Sequence, residues 1–204
     1  MTDEQKSTVR QDVKHHMGRR CFDWDYSSRC IYMITITLVD RSRPILGRLA
    51  GEGEEWRVEP SEIGRIVEQC WREIPQQWPG VEIIESQLMP DHFHGIIFVK
   101  EQQKKKLGNI IGSFKSKSTS RAGAVGLWAP GYVDLILFRA GQLEKMIAYI
   151  RDNPRRLGIK RACPELFKVA RDLVVDLGAR AVKRRMGKWQ VARCRGCGRL
   201  GMLI

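Results

Sequence analysis

VEIIESQLMPDHFHGIIFV, residues 81–99, decides how this chain folds. Two strand-like runs, VEIIESQLM (81–89) and HFHGIIFV (92–99), flank the pair Pro90-Asp91, a tight connection. Runs this close in sequence pair antiparallel, because parallel neighbours need a long crossover. Successive side chains of a strand point to opposite faces, so His92 and His94 project to the same side. Two imidazoles at matched phase can share one metal ion, while Phe93 and Ile96 to Val99 stay with the sheet and core. An HxH pair on its own also suits a polar surface. The other two histidines, His15 and His16, fall in the polar N-terminal leader.

Outward from this hairpin, IYMITITLV (31–39) is a continuous β-branched run that suits a buried central strand. The stretch from Asp40 to Pro60 carries Pro44, Gly47, Gly51 and Gly53 and reads as a loop or small hairpin. PSEIGRIVEQCWREI (60–74) opens on Ser61 as a candidate N-cap, and its apolar residues recur at helical spacing until Pro75 stops it. LGNIIGSFKSKSTSRAG (107–123) is a second helix, YVDLILF (132–138) a fourth strand, and GQLEKMIAYIRDN (141–153) a third helix. The last carries an apolar stripe of Leu143, Met146, Ile147 and Ile150. The order β-α-β-β-α-β-α predicts an α+β, ferredoxin-like split βαβ fold with an antiparallel sheet and one more helix at its C-terminal end. The domain organisation expected is a leader at 1–30, a catalytic domain at 31–170 and a basic tail at 171–204. The tail lacks sustained periodicity, and no fold is assigned to it.

Charge is distributed unevenly. Residues 1–100 hold 13 Lys and Arg against 16 Asp and Glu, a net of −3, and residues 101–204 hold 23 against 7, a net of +16. A basic half on a mildly acidic chain is the footprint of a polyanion binder, and Lys115, Lys117, Arg151, Arg155 and Arg156 are the candidate DNA contacts. No apolar run is long enough for a membrane span, and the N-terminus lacks the apolar core of a secretory signal, so a cytoplasmic protein is expected. The six cysteines form no disulfide framework, and the single CxxC of Cys194 and Cys197 is half a zinc site without a second half. There is no GxxxxGK[ST] phosphate loop.

Tyr149 and Asn153 stand four apart and stack on one face of a continuous helix, on the flank of the apolar stripe. An amphipathic tyrosine at a core edge has the same pattern. The residue before proline is pushed away from helical geometry, so Pro154 sets the expected helix end at Asn153.

Four segments in this order, MPDHFHGII, GSFKSKSTSR, LWAPGYVDLILF and YIRDNPRRLGI, resemble the single-tyrosine HUH transposases, in particular the REP-associated tyrosine transposase branch. The resemblance runs from about Tyr32 to Leu173, and it is the joint occurrence of the motifs that makes it specific. It implies the ferredoxin-like fold, a divalent metal (Mg²⁺ or Mn²⁺) on His92 and His94 with Asn153 completing the site, and Tyr149 as nucleophile. It also implies single-stranded or hairpin DNA as partner and a homodimer. Asp91 stands where many relatives have Asn. The expected chemistry is cleavage and rejoining of single-stranded DNA through a 5′-phosphotyrosine, which keeps the phosphodiester bond energy and needs no ATP. An ordinary phenol has a pKa near 10 and needs activation, for which Lys145, one turn before Tyr149, is a candidate. Two rivals stand beside this reading. One is a non-catalytic module that binds single strands or hairpins. The other is a metal hydrolase in which the histidine pair activates water.

Overall fold

A computed structural model of the chain describes residues 24–164, 190–193 and 200–203. In chain order its elements are β1 (Cys30–Thr37), β2 (Gly47–Ala50), β3 (Arg57–Pro60), α1 (Glu62–Arg72), α2 (Ile74–Gln77), β4 (Val81–Leu88), β5 (His92–Val99), α3 (Leu107–Arg121), β6 (Val133–Leu137), α4 (Gln142–Ala162), β7 (Gln190–Arg193) and β8 (Leu200–Leu203). The main sheet has the order β4-β5-β1-β6. All its pairings are antiparallel. This is the expected split βαβ arrangement: the hairpin partner β5 lies between β4 and β1, and β1 lies between β5 and β6.

The hairpin at 81–99 closes as its spacing requires, with Met89 N–H donating to the His92 carbonyl at 2.9 Å. Ser61 caps α1 by accepting from Gly64 N–H at 3.0 Å. Residues 40–60, read as a loop or small hairpin, carry the hairpin β2-β3. Two helix ends differ from expectation. α1 ends at Arg72, and Pro75 sits in the first turn of the short α2, where its missing N–H costs nothing. α4 does not end at Asn153 but continues to Ala162 with Pro154 inside it. Proline there removes one backbone bond, at a cost of about 3 kcal/mol. Packing beyond the proline offsets that: at Gly158 an added Cβ would stand 2.3 Å from the Trp56 indole, so only glycine lets the two meet.

The chain divides into two compact units, Met1–Leu49 with Val58–Arg151 and Ala50–Arg57 with Asp152–Ile204. The first unit holds the main sheet, α1 to α3, and α4 as far as Arg151. One sheet face carries the large core. Tyr32, Ile34, Ile36, Phe93 and Ile97 pack there with Val67 and Trp71 of α1 and with Ile110, Ile111 and Phe114 of α3. The opposite face carries a smaller cluster of Met33, Ile96 and Ile150, flanked by Ile31, Ile84, Leu143, Met146, Ile147 and Tyr149. The apolar stripe read from the sequence is therefore what seats α4 on the sheet. A bulge between Ile83 and Glu85 shifts the β4 register and lets Ile84 join this second cluster.

Gly95 shows how tightly the first face is packed. A Cβ there would stand 2.1 Å from Cζ2 of Trp71, a side chain with no exposure at all. Overpacking costs about 1–3 kcal/mol, and Gly95→Ala should fall at the upper end, because rigid ring atoms cannot swing aside. Urea denaturation of the variant measures this directly.

In the second unit Arg155 bonds Asp152 at 2.6 Å and reaches Glu54 at 3.3 Å. β7 and β8 pair antiparallel, so the tail to which no fold was assigned holds at least this hairpin. The CxxC pair and the histidines of the leader lie outside the described residues. No helix among the described residues is long and apolar enough to cross a membrane.

Candidate active site

β5 is a central strand, and its alternation sends Phe93, Gly95 and Ile97 toward the large core and His92, His94 and Ile96 toward the face that α4 covers. Register then fixes the neighbours: Thr35 of β1 lies opposite His94 and Thr37 opposite His92. The two imidazoles meet edge to face, and their Nε2 atoms stand 3.1 Å apart. Each ring is held through its other nitrogen. His92 Nδ1 is 2.6 Å from Asp91 Oδ1, and His94 Nδ1 is 2.9 Å from the Thr35 hydroxyl. Arg41 Nε donates to the second Asp91 oxygen at 2.7 Å.

The electrostatics suit a ligand pair. His94 is only 5% exposed, and burial, with a smaller contribution from the charge of His92, pushes its pKa down to about 3 against an opposing pull from Asp91. It is therefore neutral, the form that binds metals. Burial raises the Asp91 carboxyl, but hydrogen bonds and charge from His92 and Arg41 more than offset it and hold the group at about 2.

The pair also fits a metal by geometry. Nitrogens on adjacent positions of an octahedral ion, each about 2.1 Å from it, lie about 3 Å apart. The Nε2 atoms match that separation. Both Nδ1 atoms are bonded to neighbours, so the two Nε2 atoms, in contact with each other, are the nitrogens that would turn to an ion. Among the described residues no set of three or more His, Cys, Asp or Glu side chains converges on one point. The pair would thus supply two ligands and leave room for others.

Tyr149 lies on α4 over the same sheet face, half-buried, with its ring centroid 6.0 Å from that of His94. More than fifty residues separate the two in sequence, and the packing of Ile150 and Met146 on Met33 and Ile96 brings them together. Lys145 is exposed. Asn153 falls in the second unit, where it is half-buried and its Nδ2 is buried with no hydrogen-bond partner among the described residues.

The basic candidates divide between the two units. Lys115 and Lys117 sit on α3, across the sheet from Tyr149. Lys115 Nζ donates to the carbonyls of Ala129 and Gly131 at 2.6 and 2.9 Å. Burial lowers its pKa. Close by, Trp128 Nε1 donates to the buried Ser118 hydroxyl at 2.9 Å. The segments GSFKSKSTSR and LWAPG thus clasp one another. Arg151 is exposed and bonds Glu85 at 2.5 Å on the α4 face. Arg155 is held within the second unit as described, and Arg156 is half-buried there.

Lys117 meets Glu73 at 2.5 Å, beside a two-pronged contact from Arg121. Hydrogen bonds from Arg121, then Lys117, then Gln69 hold the Glu73 carboxyl at about 2, below its ordinary 4.5. A depressed carboxyl stabilises the fold above its unfolded value, and that stability is lost as the pH falls from about 4.5 toward about 2. Glu73→Gln should therefore flatten the acid limb of the stability curve in that window, measured by urea denaturation across pH.

Sequence reasoning missed Thr35 and Arg41. Thr35 becomes visible only once the β1-β5 register is known, and Arg41 lies in the loop read as connection. Asp91 is legible in the sequence as part of the tight connection and as a departure from relatives, not as a partner of His92.

No family model matches the chain. An uncharacterized protein of Haemophilus influenzae is 27% identical to it over 166 residues, which span 70% of this chain and 89% of that protein. Among solved structures, a REP-associated tyrosine transposase bound to a REP hairpin superposes with a TM-score of 0.55 at 16% identity, covering 68% of this chain and 74% of that one. At that identity the likeness is one of fold: this chain has the mixed α+β architecture, with an antiparallel four-stranded sheet, of the REP-associated tyrosine transposase.

Proposed function

We propose that the chain is a transposase-like enzyme that cleaves and rejoins single-stranded DNA, with Tyr149 as nucleophile beside a divalent metal held by His92 and His94. The observation that carries this reading is the convergence, on one sheet face, of two facing imidazole nitrogens 3.1 Å apart and a tyrosine ring whose centroid is 6.0 Å from that of His94. Its fold is that of a protein described as a REP-associated tyrosine transposase bound to a REP hairpin, which supports hairpin DNA as the substrate class. The segments quoted from the sequence supply the same reading residue by residue.

The chemistry proceeds in two balanced steps. The phenol oxygen of Tyr149 attacks the scissile phosphorus as its proton leaves. The bond from phosphorus to the 3′-oxygen breaks, giving a 5′-phosphotyrosine and a 3′-hydroxyl. In the second step a 3′-hydroxyl attacks the same phosphorus and releases the phenol, so the phosphodiester is restored without an energy source. A bound divalent ion would polarise the phosphate and neutralise developing charge. Imidazole ligands suit Mn²⁺ better than Mg²⁺, which prefers an all-oxygen shell. The sheet holds the histidines rigidly, and α4, seated by its apolar stripe and by the Arg151–Glu85 bond, carries the nucleophile beside them. Asn153 as a further ligand and a homodimer rest on the resemblance, and the basic residues as phosphate contacts rest on the charge of the C-terminal half.

The substrate should be single-stranded DNA or a hairpin with single-stranded flanks. Its binding should weaken steeply with salt, because lysines and arginines that neutralise phosphates release counterions. Nicking assays on labelled oligonucleotides, repeated over a salt series, test this. Equal cleavage of blunt duplex would overturn it.

A further inference from the structure

We propose that Asp91 is the positioning residue of the histidine pair: its carboxylate takes the Nδ1 proton of His92 and so aims the His92 Nε2 lone pair at the metal position. The proposal rests on the metal-site reading above. An imidazole has two nitrogens, and the partner of one decides which of them carries the proton. Asp91 Oδ1 lies 2.6 Å from His92 Nδ1. An ionised carboxylate only accepts, so Nδ1 is the protonated nitrogen and Nε2 the donor of a lone pair.

Asp91 is itself held on three sides. Arg41 Nε bonds its other oxygen at 2.7 Å. Its backbone carbonyl accepts from Leu38 N–H at 3.0 Å, and the preceding Pro90 carbonyl accepts from Leu46 N–H at 3.2 Å. The two histidines differ in how much they need such help. His94 is buried, and its ring is confined by its surroundings. The Thr35 hydroxyl beside it both donates and accepts, so it does not select a tautomer. His92, the first residue of its strand, retains 17% side-chain exposure. Besides the ring's contact with His94, Asp91 is the partner that fixes its tautomer and orientation, and loss of the carboxylate leaves Nδ1 without that partner. Outer partners of metal-binding histidines are worth about 10–100-fold in metal affinity.

The experiment compares the full chain with Asp91→Ala and Asp91→Asn, without DNA. Imidazole ¹⁵N shifts of the metal-free proteins report the His92 tautomer, and an electron paramagnetic resonance titration gives Mn²⁺ affinity. The wild type should show a single tautomer protonated at Nδ1. In Asp91→Ala the tautomers should mix and Mn²⁺ binding should weaken about 10–100-fold. In Asp91→Asn the amide oxygen accepts the same hydrogen bond, and both readouts should return to within about threefold of wild type. A purely structural role for the turn would not give a tautomer change that Asn reverses. Unchanged tautomer and affinity in Asp91→Ala, or failure of Asn to rescue, would overturn the proposal. If the wild type binds no Mn²⁺, the metal reading fails and this proposal with it, whatever the tautomers do.

Discussion

Tyr149→Phe should abolish strand cleavage, by at least about a thousandfold, while leaving hairpin DNA binding within a few-fold of wild type. The change removes one oxygen and keeps the ring. Tyr149 belongs to the cluster that seats α4 on Met33 and Ile96, and phenylalanine preserves that packing. The edge contact of its ring with His94 needs no hydroxyl. Stability should change by no more than one hydrogen bond is worth, about 0.5–1.5 kcal/mol, which a thermal melt checks. The contrast between lost cleavage and kept binding separates the enzyme from a pure binding module, whose behaviour would not depend on the phenol oxygen. If Tyr149→Phe cleaves at the wild-type rate, the nucleophile is elsewhere.

A second large effect is expected at His94. His94→Ala removes one of two facing Nε2 donors and should lower metal-stimulated cleavage about a thousandfold, more than loss of an outer partner would. Because His94 is buried and bonded to Thr35, the variant also leaves a small cavity and an unpaired hydroxyl. That should cost about 1–2 kcal/mol of stability without unfolding the protein. Cleavage is therefore compared with Mn²⁺ affinity measured on the same folded sample. A variant that keeps its fold and its Mn²⁺ affinity while losing activity would argue that His94 acts on DNA and not on a metal.

Much of this was legible in residues 81–99. The Pro90-Asp91 reversal and the alternation of β5 were enough to place His92 and His94 on one face and Phe93 on the other. The stripe on α4 was enough to place Tyr149 over the sheet. What stayed hidden depends on long-range register. Thr35 meets His94 only because β1 and β5 pair where they do. Likewise the bulge that joins Ile84 to the second cluster has no local signature. The surroundings of Lys115 and Lys117 were hidden for a different reason. Charge in a sequence marks a candidate for phosphate, but Lys115 is engaged by the carbonyls of Ala129 and Gly131, and Lys117 by Glu73. Pro154 misled as well, because its local penalty was weighed without the packing of Gly158 on Trp56.

The central claim is a covalent bond between Tyr149 and a 5′-phosphate. A single-stranded hairpin substrate labelled at its 3′ end, incubated with the protein and Mn²⁺, tests it. On a denaturing gel the label should move with the protein, and after trypsin it should reside on the peptide of residues 146–151, MIAYIR. The unlabelled upstream fragment should end in a 3′-hydroxyl. Cleavage that leaves the label on free DNA, with no protein adduct at any time point, would contradict the account and assign the histidine pair to the activation of water.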